Sequence, residues 1–286
     1  MHPSPALPTA EAFGPAPPGE DPLLEQLASS ALEAATAAAG FAADRQGHER
    51  SEVATKSSAT DMVSEVDRGA ERLIAAVLAR RRPDDAVLGE EGAQRSGTTG
   101  VRWVVDPIDG TTNYLFGIPA WSVSVAAERD GRPVVGVVVD PSRGETWAAV
   151  EGRGARCNGS PRRVAEGRST LATALVGTGF GYDRQRRMRQ AEVLSSVLPA
   201  VRDIRRVGSA ALDLCWVAAG RYDAFYELGL NAWDMAAGAV VCREAGGVVQ
   251  TLGDGLVLAT TPSLAGPLRE LLESAGAGSP PAGPGG

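Results

Sequence analysis

The stretch Trp103–Thr112, WVVDPIDGTT, constrains this chain more than any other. Its apolar run Trp103-Val104-Val105 reads as a buried strand that stops at Asp106. Asp106-Pro107-Ile108-Asp109 then fits a β-turn, with proline pre-set for the second position. Residues three apart on a continuing strand point to opposite faces, so a change of direction is what lets two carboxylates converge. With the Ile108 carbonyl beside them, Asp106 and Asp109 make an oxygen set that suits a hard cation such as Mg2+. Gly110 stands where backbone passes close to something. Thr111 and Thr112 offer hydroxyls beside free N–H groups, a natural phosphate cradle next to a metal. The same letters also fit an ordinary Asp-Pro turn with solvated acids, so the rest of the chain has to decide.

At 286 residues the chain can bury a sizeable core, as one large domain or as two lobes sharing an interface. A net charge of -7 leaves no surplus of cations to neutralise nucleic-acid phosphates. Of the 28 Lys+Arg, only Lys56 is lysine, ordinarily a surface charge. The 3 cysteines, Cys157, Cys215 and Cys242, lack metal-type spacing and read as free thiols of a reducing compartment. His2 and His48 lie far from the acidic motif, which argues against a histidine base or a histidine-ligated zinc. No stretch approaches the ~20 apolar residues of a membrane span. With no signal peptide visible, a cytoplasmic protein is expected.

In chain order, residues 1–20 are rich in proline and alanine and read as a disordered tail, as do residues 276–286. Asp21-Pro22 opens a helix that ends near Gly47. A second helix spans roughly 63–82, with Val66, Ala70, Leu73, Ile74, Val77 and Leu78 on its buried face and Asp67 near its start. Ala86–Leu88 is a brief strand delivering Glu90 and Glu91. Strands follow at 121–129, 133–139 and 146–150, the first two joined by an Asp130-Gly131 hairpin turn. Residues 21–160 thus form an N-terminal lobe of helices on a largely antiparallel sheet. Residues 161–275 form a second lobe, with strands at 171–177, 201–206, 221–228, 248–252 and 257–259. Its helices are expected at 186–198, from Gly208 onward, at 232–245 and at 264–272. The fold class expected is a layered α/β architecture with two sheets.

Asp234, at the start of a helix after a strand, can close the oxygen cage from the second lobe. At this point the chain resembles the inositol monophosphatase family. WVVDPIDGTTN is similar to that family's first signature and WDMAAGAVVCREAGG to its second. GEE, ATKSSATDMVSEVD, GSAALDLC and YELGLNAWD add matches in the same order, over roughly residues 23–275. The resemblance implies a magnesium-dependent, lithium-sensitive phosphomonoesterase with an αβαβα fold, binding two or three Mg2+ ions and forming a homodimer. It implies metal ligands at Glu90, Asp106, the Ile108 carbonyl, Asp109 and Asp234. Thr111 with Glu90 would orient the attacking water, Asp67 would lie at a further metal or its waters, and Lys56 would lie near the metal site. The amides of Gly110 and Thr111 would hold the phosphate, while Ser209, Ala210 and Glu227 would meet the alcohol part of the substrate.

GSAALDLC resembles the inositol branch, which makes myo-inositol 1-phosphate the expected substrate. Fructose 1,6-bisphosphate, 3'-phosphoadenosine phosphate and histidinol phosphate are the alternatives within the family. Asn231 departs from the pattern, standing where many inositol members carry histidine. A non-catalytic regulatory protein of the same fold is the reading from a different class.

Overall fold

Asp21 caps the first long helix as its sequence requires, its carboxylate accepting from the Leu23 N–H at 2.9 Å with Pro22 at the first helical position. The computed structural model describes residues 9–46, 59–165, 170–253 and 255–277. After a short helix α1 (Thr9–Phe13), α2 (Pro22–Arg45) and α3 (Ala59–Arg81) lie side by side. An eight-stranded sheet follows, formed by β1 (Ala86–Gly89), β2 (Gln94–Arg95), β3 (Val101–Asp109), β4 (Ser122–Arg129), β5 (Arg132–Asp140), β6 (Glu145–Val150), β7 (Gly154–Cys157) and β8 (Ser160–Arg162). Its order is β2-β1-β3-β4-β5-β6-β7-β8, antiparallel except for the parallel β1–β3 pair. A six-residue helix α4 (Thr111–Phe116) interrupts the sequence between β3 and β4.

The second sheet runs β10-β9-β11-β13-β12 and has five strands. They are β9 (Leu175–Thr178), β10 (Asp203–Arg205), β11 (Ala224–Leu228), β12 (Val248–Leu252) and β13 (Leu256–Thr260). The associated helices are α5 (Arg184–Val197), α6 (Ala210–Ala218), α7 (Ala232–Glu244) and α8 (Ala265–Ser274). Side-chain alternation explains the layering. On the large sheet, Trp103, Val105, Val123, Val125, Val135 and Val137 join the core under α2 and α3. Their neighbours Val104, Ala126, Val138, Trp147 and Ala149 join the core under α6 and α7. On the far side of the small sheet, Val176, Tyr226, Leu256 and Leu258 pack against Val193, Val197, Leu268 and Leu272 from α5 and α8. The result is the expected αβαβα stack. Gly136 lets α7 lie close on β5, since a Cβ there would collide with the Ala237 carbonyl.

Several local expectations need correction. The turn expected at Asp106–Asp109 is instead a bulge, because β4 pairs on both sides of it: Asp106 opposes Ser124 and Asp109 opposes Ser122. Pro107 has no N–H to contribute, and a bulge is where a strand tolerates it. Residues 9–20 are not an unstructured tail. Phe13 is fully buried against the core, and Arg153 donates its Nε to Glu20 at 2.7 Å. One buried aromatic and one buried ion pair hold a segment whose composition suggested disorder. Residues 1–8 and 278–286 lie outside the described residues, while Ala277 packs into the outer core. Leu171–Thr173 is a 3-10 turn rather than strand, and Leu73 is 36% exposed rather than part of the buried face of α3. No helix among the described residues is long and apolar enough to cross a membrane.

Candidate active site

The bulge decides which way the central acids point. Val104 faces α6 and α7, so by strict alternation Asp106 faces them too and Asp109 would turn back toward α2. One extra residue reverses this: Ile108 drops into the core with Trp103 and Val105, and Asp109 rejoins Asp106 on the α6–α7 side. Asp106 fixes the bulge by accepting from the Ile108 N–H at 2.9 Å. Thr111 Oγ1 donates to the Ile108 carbonyl at 2.9 Å. Gly110 has φ +89°, and a Cβ there would press on the carbonyls of Ala120 and Gly208, each at 3.0 Å. Only glycine meets both demands comfortably.

The segments that follow the large sheet supply the other wall. Ser209 caps α6 and donates its hydroxyl to Asp109 Oδ2 at 2.5 Å, and the Ala211 N–H donates to the same oxygen at 2.8 Å. Asp234 sits in the first turn of α7 and accepts from the Asn231 N–H at 2.6 Å, while Ser124 on β4 donates to the Trp233 carbonyl at 3.2 Å. Glu90 follows β1, and its N–H bonds the Val105 carbonyl at 3.3 Å, which holds it beside β3. Behind it Glu71 accepts from the N–H groups of Glu91 and Ala93, at 2.9 and 2.8 Å, so that carboxylate shapes the loop.

These parts enclose a cleft of ≈ 240 Å³, lined by Glu90, Asp106, Ile108, Asp109, Gly110, Thr111, Ala210, Glu227 and Asp234 among others. Ser209 stands behind the wall, bonded to Asp109. Asp67 is buried in α3 and does not line the cleft, and Lys56 lies outside the described residues. The cleft also contains residues that motif reading passed over: Phe180, Gly181, Tyr182, Arg186 and Arg206. The repeated arginines of RQRRMR and RRVGSA were the available signal, but a surface arginine looks the same in sequence.

Electrostatically the cleft is under strain from its own acids. Withdrawal from water raises the Glu90 carboxyl to about 7, against a hydrogen bond with Asp106, and the charge of Asp234 adds to the rise. Burial, then Glu90 and Asp109, hold Asp106 well above the carboxylate range. Asp109 is raised to about 8 by burial and Asp234, although Ser209 and Ala211 pull it down. Burial likewise raises Asp234, and lifts Glu227 to about 7 against the pull of Arg206. Acids crowded together in this way, with their carboxyls raised, are a recognised mark of a functional site. The donors are all oxygen, with no histidine or cysteine, which matches a hard divalent cation in chemistry. Among the described residues no three His, Cys, Asp or Glu side chains form a ready-made metal cluster.

Residues 23–277 match the family model described as "Inositol monophosphatase family". The inositol-1-monophosphatase of Mycobacterium bovis is 45% identical over 247 residues, covering 82% of this chain and 85% of that protein. The Nus factor SuhB of Pseudomonas aeruginosa is 48% identical over 201 residues, covering 67% and 72%. The solved structure of Mycobacterium tuberculosis SuhB superposes with a TM-score of 0.77 at 45% identity, covering 87% of this chain and 96% of that one. Matched along most of its length in both sequence and fold, the chain belongs to the inositol monophosphatase family.

Proposed function

We propose that this chain hydrolyses a small phosphate monoester, with myo-inositol 1-phosphate as the preferred substrate, by in-line attack of water on phosphorus without a phospho-enzyme intermediate. The observation that carries the reading is the bulge in β3, which turns Asp106 and Asp109 into one cleft with Glu90 and Asp234. Glu90, Asp106, Asp109, Asp234 and the Ile108 carbonyl would hold Mg2+, in two or three ions. When bound, Mg2+ supplies the positive charge that reverses the local field and stabilises charge on the phosphoryl oxygens. Glu90 and Thr111 orient the attacking water. Thr111 is suited to this because its hydroxyl proton is directed at the Ile108 carbonyl, which leaves its oxygen free to accept from water. The N–H groups of Gly110 and Thr111 receive the phosphate. Glu227 and the Ala210 backbone meet hydroxyls on the alcohol part.

A homodimer in the cytoplasm and sensitivity to Li+ complete this reading. A second reading, a regulatory protein without turnover, is favoured by relatives that carry the name Nus factor SuhB. The test is phosphate release from myo-inositol 1-phosphate, 3'-phosphoadenosine 5'-phosphate and histidinol phosphate, each with Mg2+, with EDTA and with added Li+. Magnesium-dependent preference for the inositol ester is expected. No release from any of them by folded, metal-supplemented protein would favour the second reading.

A further inference from the structure

Glu90 is carried by the turn between β1 and β2, and that turn is held from two sides. The Gly89 N–H closes it on the Ala93 carbonyl at 2.8 Å. On the sheet side the Glu90 N–H makes a long bond, 3.3 Å, to the carbonyl of Val105, the residue before Asp106. On the helix side lies Glu71 of α3. Its two carboxylate oxygens accept separately, Oε1 from the Glu91 N–H at 2.9 Å and Oε2 from the Ala93 N–H at 2.8 Å. The fit is close. A Cβ on Gly89 would overlap Glu71 Oε1, so the pinned carboxylate occupies the space that any other side chain at 89 would need.

Glu71 is a costly way to hold a turn. It is 5% exposed and pairs with no cation among the described residues. Burial raises its carboxyl, and the N–H groups of Ala93 and Glu91 pull it back down. A surface turn can leave its N–H groups to water and avoid burying an acid. A carboxylate that accepts at both oxygens does something water does not: it fixes position and orientation together. What it fixes is the main chain directly after Glu90. The Glu90 side chain itself lines the cleft and shares a hydrogen bond with Asp106.

We propose that Glu71 is a positioning residue for the cleft: it holds the Glu90–Ala93 turn so that Glu90 meets a divalent cation together with Asp106. This rests on the assignment of Glu90 to the metal in the reading above, and deepens it by placing part of the cation affinity in α3. Metal ligands are ordinarily held by such outer hydrogen bonds, and losing one costs about 10–100-fold in affinity or activity. Glu71 does not line the cleft, so it acts either through Glu90 or through its charge at a distance.

A double-mutant cycle separates these two routes. Metal-free wild type, Glu71→Gln, Glu90→Gln and the double variant are each titrated calorimetrically with Mg2+. Glu71→Gln keeps the size of the side chain but replaces one acceptor with an amide donor, so one of the two bonds to the turn is lost. Mg2+ binding should weaken about 10-fold in Glu71→Gln, and by less than about 2-fold when the same change is made on Glu90→Gln. Equal weakening in both backgrounds would mean that Glu71 acts by charge alone, and would overturn the proposal. So would wild-type Mg2+ affinity in Glu71→Gln with a lowered denaturant midpoint, the mark of a purely structural role. Hydrogen exchange on the unmutated protein adds a measurement that does not depend on a variant folding. Protected amides at Glu91 and Ala93 are expected, and unprotected exchange there would show that the clamp is absent. Phosphate release is scored separately. A protein that binds Mg2+ and follows the expected cycle but cleaves no ester defeats the phosphatase reading and leaves the positioning role standing. A wild-type protein that binds no Mg2+ defeats both.

Discussion

Two buried aspartates on neighbouring parts of the large sheet have opposite surroundings. Asp85, just before β1 and 1% exposed, accepts from Arg82 Nε at 2.8 Å and Nη2 at 3.1 Å, from Thr99 Oγ1 at 2.7 Å and from Trp103 Nε1 at 3.0 Å. Asp106, equally buried, accepts from the Ile108 N–H and otherwise faces Glu90, Asp109 and Asp234. Burial makes a charged group costly unless its charge and lone pairs are answered. The chain itself answers Asp85, with a cation and two neutral donors. Around Asp106 and Asp109 it adds more negative charge. The first arrangement stores stability; the second is one that a bound cation would answer.

The comparison breaks most sharply by exchanging one atom at each place. Asp109→Asn keeps the shape and removes one like charge from the crowd. Phosphate release should fall by about 10³-fold, ~4 kcal/mol of barrier. Above about pH 8, where Asp109 is ionised, the metal-free protein should melt no lower than wild type, because a repulsive charge has gone. Near-normal turnover in this variant would remove Asp109 from the proposed metal set. Asp85→Ala does the reverse. It strands Arg82 and the indole N–H of Trp103 inside the protein, and should cost about 3–5 kcal/mol in denaturant unfolding. Turnover per folded molecule should change little. A large loss of turnover with unchanged stability would mean that Asp85 serves the site rather than the fold.

How much of this was legible in the sequence follows from the same contrast. The acid cluster was readable because Asp106, Asp109 and Gly110 fall within a few letters of one another, and because matching stretches recur in order through Asp234. The layered α/β class with two sheets was readable because period-2 and period-3.6 apolar patterns are local, while the αβαβα order of the layers came from the family resemblance. The bulge was not. A turn and a bulge both bring residues three apart to one face, and only the pairing of β4 with each end of the motif separates them. Phe13 was missed for a similar reason. A single aromatic in a Pro/Ala-rich stretch has no periodicity, and its burial depends on a core built by residues far away in the chain. The arginines of the cleft rim were also beyond reach, since Arg187, in α5, and Arg206, just after β10, line one hollow although they lie far apart in sequence.

Asp109 sits between the two extremes, and this gives the finest test. Its Oδ2 is held by Ser209 Oγ at 2.5 Å and the Ala211 N–H at 2.8 Å, so that one oxygen is answered much as Asp85 is. The partial support aims the carboxylate into the cleft before any cation arrives. Ser209→Ala removes the hydroxyl and keeps the amide, and also deletes the cap of α6, worth about 1 kcal/mol of stability. A hydrogen bond to a charged group contributes roughly 1.5–3 kcal/mol, so the Mg2+ concentration for half-maximal activity should rise by about 10-fold or more. If Ser209 acts only by holding Asp109, kcat at saturating Mg2+ should return close to the wild-type value. The alternative, implied by the family resemblance, is that Ser209 meets the substrate directly. In that case KM for the ester would rise with Mg2+ affinity unchanged. Because Ser209 Oγ is buried, with Ser122 Oγ 3.2 Å away on its other side, the geometry favours the first outcome. Measuring the Mg2+ and ester dependences separately on the one variant shows whether support of the Asp85 type extends into the site.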